Sequence, residues 1–109
     1  KKENKKMSTE MQIMELISTA GESKAKVFEA LKKVKQNDFD GARALIAEAR
    51  KIDVEAHNIQ TQLITQDISE EVESPAMSLL MVHAQDHLMT TLLLRELVQD
   101  FVELYKKNK

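Results

Sequence analysis

Two histidines and one aspartate form the cluster of this chain that is best suited to a reactive or metal-binding site. His83, Asp86 and His87 fall within five residues of each other, inside the long apolar run 79–89. On a helix, positions i, i+3 and i+4 project from neighbouring points of one face. A buried imidazole or carboxylate is costly unless it has a partner or a task. The cluster therefore predicts the functional site.

Three interpretations fit this cluster. A neutral imidazole offers a lone-pair nitrogen near pH 7, so a histidine can accept a phosphoryl group and pass it on. The spacing His-x-x-Asp-His can instead place three metal ligands on one helix face, which would make the protein a metal-binding helical bundle. The third interpretation is a non-catalytic oligomeric adaptor whose histidines are satisfied in the core. Spacing alone leaves all three open.

A third histidine lies in the preceding helical segment. His57 is placed beside an apolar seam, and the polar run Gln60-Thr61-Gln62 follows it. Antiparallel packing of the second and third helices would bring His57 towards the cluster. The alternative is a histidine at the boundary of the core that contacts solvent.

The composition restricts the class of protein. A chain of 109 residues is one small domain, and 42% apolar with 31% charged residues is typical of a folded chain. Two glycines and one proline are too few for the turns of an all-β domain. A net charge of −2 gives no reason to propose nucleic acid, and the lack of cysteine excludes disulfides and thiol chemistry. No uncharged run reaches the roughly 18 residues of a membrane span, so we expect a cytoplasmic protein without direct membrane insertion.

Apolar spacing predicts an all-α fold, with helices at about 9–36, 39–67 and 75–106 after a disordered or frayed tail, 1–8. Asp38 is the expected cap of the second helix, and Ser74-Pro75 is the expected start of the third. The third helix is apolar around most of its circumference, so two partner helices cannot cover it. We therefore expect a homo-oligomer. The apolar residues of this helix are Leu79, Leu80, Met81, Val82, Leu88, Met89, Leu92, Leu93, Leu94, Leu97, Val98, Phe101, Val102 and Leu104.

Helical phase divides the cluster between two faces. At about 100° per residue, His83 shares one stripe of the third helix with His87. Asp86 lies on the adjoining stripe with Val82 and Met89, which we assign to the oligomer contact. The aspartate and the histidines are therefore expected to be close but to point into different environments.

The segment Val82-His83-Ala84-Gln85-Asp86-His87-Leu88-Met89-Thr90 resembles the active-site segment of a known family. The family is the enzyme IIA component of the lactose/cellobiose (N,N′-diacetylchitobiose) class of the bacterial phosphoenolpyruvate:sugar phosphotransferase system. Two further matches support the resemblance, Ala56-His57 with Gln60-Thr61, and Ile17-Ser18-Thr19-Ala20-Gly21-Glu22-Ser23. The similarity extends from about residue 11 to residue 105.

The resemblance implies a fold, an activity and a set of partners. It implies an antiparallel three-helix bundle that assembles as a homotrimer through the third helices. It further implies that His83 receives phosphate from phospho-HPr and passes it to a cysteine of enzyme IIB, which serves the membrane permease, enzyme IIC. The substrate of that system would be a β-disaccharide of the cellobiose/chitobiose or lactose type.

The resemblance also assigns the remaining residues of the site. Asp86 matches the aspartate that meets its symmetry mates at the trimer axis, where one divalent cation, Mg²⁺, is implied per trimer. No organic cofactor is implied. Gln85 and His87 belong to the matched segment and His57 to a supporting one, so all three are expected to be supporting residues.

Overall fold

The computed structural model is a bundle of three α-helices, which confirms the predicted all-α class. It describes residues 2–69 and 79–108, with side chains over 9–65 and 79–108. α1 spans Lys2–Lys35, α2 spans Phe39–Ser69 and α3 spans Leu79–Lys107. No helix in the described part of the chain is long and apolar enough to cross a membrane.

The connection between α1 and α2 is a tight Schellman turn. The backbone N–H of Asp38 donates to the Lys33 carbonyl at 2.9 Å, and that of Asn37 donates to the Val34 carbonyl at 2.9 Å. Asn37 takes the left-handed conformation that ends α1, with φ at 62°. Asp38 then caps α2, because its Oδ1 accepts the N–H of Gly41 at 2.9 Å. The predicted break and the predicted cap are both confirmed.

The core consists of two apolar layers stacked along the bundle. The upper layer joins the first half of α1, the second half of α2 and the first half of α3 through Ile13, Leu16, Ala20, Ala56, Ile59, Leu63, Ala84 and Leu88. The lower layer joins the opposite halves through Val27, Ala30, Val34, Ala42, Ile46, Ala49, Val98 and Val102. α2 is therefore antiparallel to its neighbours, and α1 runs in the same direction as α3.

Several helix boundaries differ from the sequence prediction, and one lies outside the described residues. α1 begins at Lys2 rather than Thr9, so 2–8 continue the helix instead of forming a tail. The physical reason is that lysine, glutamate and methionine in this segment are good helix formers and no proline or glycine interrupts them. α2 ends two residues beyond its predicted end, at Ser69, and α3 ends one beyond, at Lys107. The predicted start of the third helix at 75 lies outside the described residues.

One face of α3 is apolar and uncovered in the single chain. The exposed fraction of its residues ranges from 40% at Val82 to 85% at Leu79. These residues follow the spacing of three and four that two or more packed helices require. The apolar stripe that helical phase predicted is therefore present and open, and it consists of Leu79, Val82, Met89, Leu93, Leu97 and Leu104.

Candidate functional site

The candidate site is a pair of imidazoles on the first half of α3. His83 is exposed and His87, one helical turn later, is partly buried. Their ring centroids lie 6.3 Å apart and the ring planes differ by only 5°. The helix thus presents two parallel rings side by side, the outer one open to an incoming partner and the inner one against the bundle.

His87 packs against the backbone of α1 at Gly21. A methyl group built on Gly21 would lie 3.5 Å from Nε2 of His87, which is an ordinary van der Waals distance, so the ring edge lies next to this residue. Burial lowers the pKa of His87 below its ordinary value of 6.5, and the positive charges of Lys24 and His83 lower it further. His87 is therefore held as a neutral ring near pH 7.

Asp86 is the exposed carboxylate of this segment of α3. It lies in the uncovered apolar stripe of α3, between Val82 and Met89. Thr90 Oγ1 donates to the backbone carbonyl of Asp86 at 2.8 Å and to that of His87 at 3.2 Å, so this hydroxyl forms its hydrogen bonds within α3. The location agrees with the helical phase, whereas the role of Asp86 at a trimer axis stays a prediction.

The single chain does not bring the cluster together as a metal site. No three histidine, cysteine, aspartate or glutamate side chains in the described parts of the chain are grouped so that they could hold a metal ion. Helical phase accounts for this, because consecutive residues such as Asp86 and His87 are about 100° apart around the helix axis. A cation bound by the Asp86 carboxylates of several subunits would form a different site, at the oligomer axis, and stays a prediction.

Two of the supporting residues lie away from the rings. Gln85 is on the α2 side of α3, where its side-chain oxygen accepts a hydrogen bond from Nε2 of Gln60. His57 is exposed on α2, and no hydrogen bond or ring contact joins it to His83 within the described residues. Ala56 and Ile59 take the core-facing positions around His57, so this histidine contacts solvent at the boundary of the core, and its supporting role stays a prediction.

A buried polar network lies between the two core layers, and sequence reasoning missed it. Asp53 is 5% exposed and uses both carboxylate oxygens. Its Oδ1 accepts from Ser23 Oγ at 2.6 Å, and its Oδ2 accepts from Arg95 Nε at 2.5 Å. Ser23 also lies 3.3 Å from the Ala49 carbonyl. One residue from each helix therefore meets at this point, and the three together fix the alignment of α1, α2 and α3.

The signal for this network was present in the spacing of α2. Asp53 lies four residues after Ala49 and three before Ala56, both of which are fully buried. It therefore occupies the seam of α2 that the alanines define. An apolar pattern alone does not reveal Asp53, because a charged residue is not expected at a core position.

The fold and the site together define a small helical subunit that carries two parallel histidines beside an uncovered apolar face. Residues 11–106 match the sequence profile of the family described as "PTS system, Lactose/Cellobiose specific IIA subunit". The chain belongs to this family.

Individual relatives and solved structures agree with this assignment. The chain is 44% identical over 94 residues to the lactose-specific EIIA component of Staphylococcus epidermidis, covering 86% of this chain and 88% of the relative. It is 43% identical over 97 residues to the N,N'-diacetylchitobiose-specific EIIA component of Escherichia coli strain K12, covering 89% and 82%.

Two solved structures share the fold. The IIA(Chitobiose) structure in complex with HPr from the Escherichia coli phosphotransferase system has a TM-score of 0.78 at 39% identity, covering 91% of this chain and 94% of that chain. The cellobiose-specific enzyme IIA from Bacillus anthracis has a TM-score of 0.82 at 35% identity, covering 91% and 89%.

Proposed function

We propose that this protein is a cytoplasmic phosphocarrier whose phosphorylated residue is His83. The observation that carries the proposal is the exposed ring of His83, beside the parallel and partly buried ring of His87, in a chain of the IIA family. An exposed imidazole can meet two successive partners at the same nitrogen. A buried one cannot do so without opening the bundle.

The transfer needs no proton movement. A ring nitrogen of neutral His83 forms the new N–P bond while the N–P bond of the protonated phosphohistidine ring of HPr breaks. The donor histidine leaves as a neutral imidazole, and the positive ring charge passes to His83. In the second step a cysteine thiolate of enzyme IIB forms an S–P bond as the N–P bond of His83 breaks. His83 is then neutral again. The protein supplies position and charge stabilisation to both steps rather than further covalent chemistry.

The partners of this function are phospho-HPr as donor and enzyme IIB as acceptor. Enzyme IIC, the membrane permease, follows in the sequence and takes up a β-disaccharide. HPr is supported as donor by the solved complex of the related IIA(Chitobiose) with HPr. The similarities extend to both lactose and chitobiose relatives, so the sugar is stated only as the lactose or cellobiose/chitobiose type.

We further propose that the uncovered stripe of α3 assembles the protein as a homotrimer. The support is the open row of apolar side chains at heptad spacing, with Asp86 within it. Three carboxylates brought together at an axis repel one another, and they need a cation or raised pKa values. One Mg²⁺ per trimer, bound by Asp86 oxygens, fits the preference of this ion for carboxylates.

Phosphorylation by enzyme I and HPr with phosphoenolpyruvate tests the proposed function. We expect one phosphate per subunit, stable to base and labile to acid, and none in the His83→Gln variant. His57→Gln is the matched control, because His57 is also an exposed histidine on a helix of this bundle. Incorporation into His83→Gln at the wild-type rate would refute the site. A protein that accepts no phosphate at all would instead support the oligomeric adaptor.

A further inference from the structure

A phosphoryl group on His83 needs a positive charge nearby, and the described residues offer one on α1. The oxygens of a phosphoryl group carry a charge of about −1.5 to −2 near neutral pH and are strong hydrogen-bond acceptors. Burial lowers the pKa of His87, which disfavours a balancing positive charge on that ring. The α1 residues that face this part of α3 are therefore the place to look for a cation.

Lys24 is the lysine that α1 brings to this place. It follows Gly21 by three residues, so the two share a face of α1, and Gly21 is the point at which α1 meets the His87 ring. After burial, the positive charge of Lys24 is the next cause that lowers the pKa of His87. Its side chain is partly buried, which fits an aliphatic stem lying along the contact between α1 and α3.

The direction of the helices brings this charge towards His83. Side chains of an α-helix lean towards its N-terminus. Because α1 and α3 run in the same direction, Lys24, which lies about one turn beyond Gly21, leans back towards the level of His87 and in the direction of His83. The two rings lie only 6.3 Å apart, so an ammonium group that reaches the inner ring is near a phosphoryl group on the outer one.

Lys24 also has its positive charge available for a new partner. It forms no ion pair with the carboxylates among residues 9–65 and 79–108, whereas Lys26 on the same helix pairs with Glu48 at 3.5 Å. A partly buried lysine without a carboxylate is available to an anion that arrives later.

We propose that Lys24 is the cation that binds the phosphoryl group on His83 and thereby sets how much phosphate the protein takes from its donor. The inference rests on the proposed function, since it concerns the same phosphohistidine. Lys24 is a positioning residue in the transfer between histidines, because it forms no bond to phosphorus.

The first experiment compares Lys24→Gln with the wild type in phosphate transfer from phospho-HPr. We expect the equilibrium constant to fall about fivefold, as for the loss of one partly solvated charge-assisted hydrogen bond. Lys24→Arg should keep most of the wild-type value. Lys32→Gln is the matched control, because Lys32 is an exposed lysine of α1 and its replacement removes the same charge. Equal equilibrium constants for the two glutamine variants would overturn the proposal.

A second experiment does not need HPr. Potassium phosphoramidate phosphorylates the wild-type protein chemically, and NMR then follows the side-chain ammonium signals. We expect the Lys24 signal to move on phosphorylation and the Lys32 signal to stay, with a smaller displacement of Lys24 at high salt. An unmoved Lys24 signal contradicts the inference even where transfer from HPr succeeds. A moved signal in a protein that HPr fails to phosphorylate supports Lys24 and refutes the proposed donor.

Discussion

The buried ion pair between Asp53 and Arg95 allows a sharp test of what holds the three helices in alignment. Replacing Asp53 by alanine leaves the guanidinium of Arg95, whose side chain is only 15% exposed, without its carboxylate. It also leaves Ser23 with only the 3.3 Å contact to the Ala49 carbonyl. Breaking a buried pair in this way costs about 3–5 kcal/mol, and the remaining exposure of Arg95 favours the lower end, about 3 kcal/mol.

This cost is large relative to the ordinary stability of a domain of this size. It corresponds to a fall in the melting temperature of about 12 °C. Thermal and urea unfolding of Asp53→Ala and of the wild type should be measured at one subunit concentration, because assembly shifts the apparent stability.

Two comparison variants identify the cause of the effect. Glu103→Gln breaks an exposed pair, in which Arg43 donates from Nε at 3.0 Å and from a terminal nitrogen at 2.8 Å, and it should change stability little. The double variant Asp53→Leu with Arg95→Met removes both charges and should recover most of the loss. If Asp53→Ala unfolds no more easily than Glu103→Gln, the reasoning about burial is wrong.

Three further predictions follow from the glycines, from His87 and from Asp86. Gly21→Ala should stabilise the protein by up to about 1 kcal/mol, because its methyl group meets His87 at an ordinary contact distance and alanine favours the helix. Gly41→Ala should raise the free energy of unfolding by less, or lower it, because its methyl group collides with the carboxylate of Asp38 and breaks the cap. Urea titration measures both variants, and a larger increase for Gly41→Ala than for Gly21→Ala would contradict this. The lowered pKa of His87 means that the unfolded chain binds more protons near pH 6, so stability is complete above about 6.5 and is lost as pH falls through the folded pKa. Denaturant midpoints between pH 5 and 7.5 should therefore fall less in His87→Gln than in the wild type, and equal slopes would argue against it. Asp86→Leu should preserve or strengthen the proposed trimer, because it removes the repulsion between carboxylates at the axis. Sedimentation equilibrium measures this, and dissociation to monomers would count against the axial position of Asp86.

Much of the fold could be predicted because it depends on local patterns. The break between α1 and α2 follows from Asn37 and Asp38, whose side chains and backbone preferences act within a few residues. The separation of Asp86 from the histidines follows from 100° per residue alone. The start of α1 could not be predicted in this way, since residues 2–8 have helix propensity but no apolar pattern.

The details of the site depend on contacts between helices, which spacing along one helix does not give. Nothing in the segment around His87 indicates that its ring packs on Gly21 or that Lys24 acts on it. Similarly, the segment around Gln85 does not indicate that its side-chain oxygen accepts a hydrogen bond from Gln60 on α2. Asp53 was missed because a charged side chain in a core position is satisfied by partners from two other helices.

The polar network around Asp53 divides the interior into two compartments that can change separately. The upper compartment supports the rings of His83 and His87, whereas the lower one only completes the bundle. Substitutions that repack Val27, Ile46 or Val102 can therefore accumulate without moving the imidazoles, as long as the charged layer holds the register between them. The lower end of such a protein is free to diversify over evolution, or to accept grafted segments in engineering, while its chemistry stays constant.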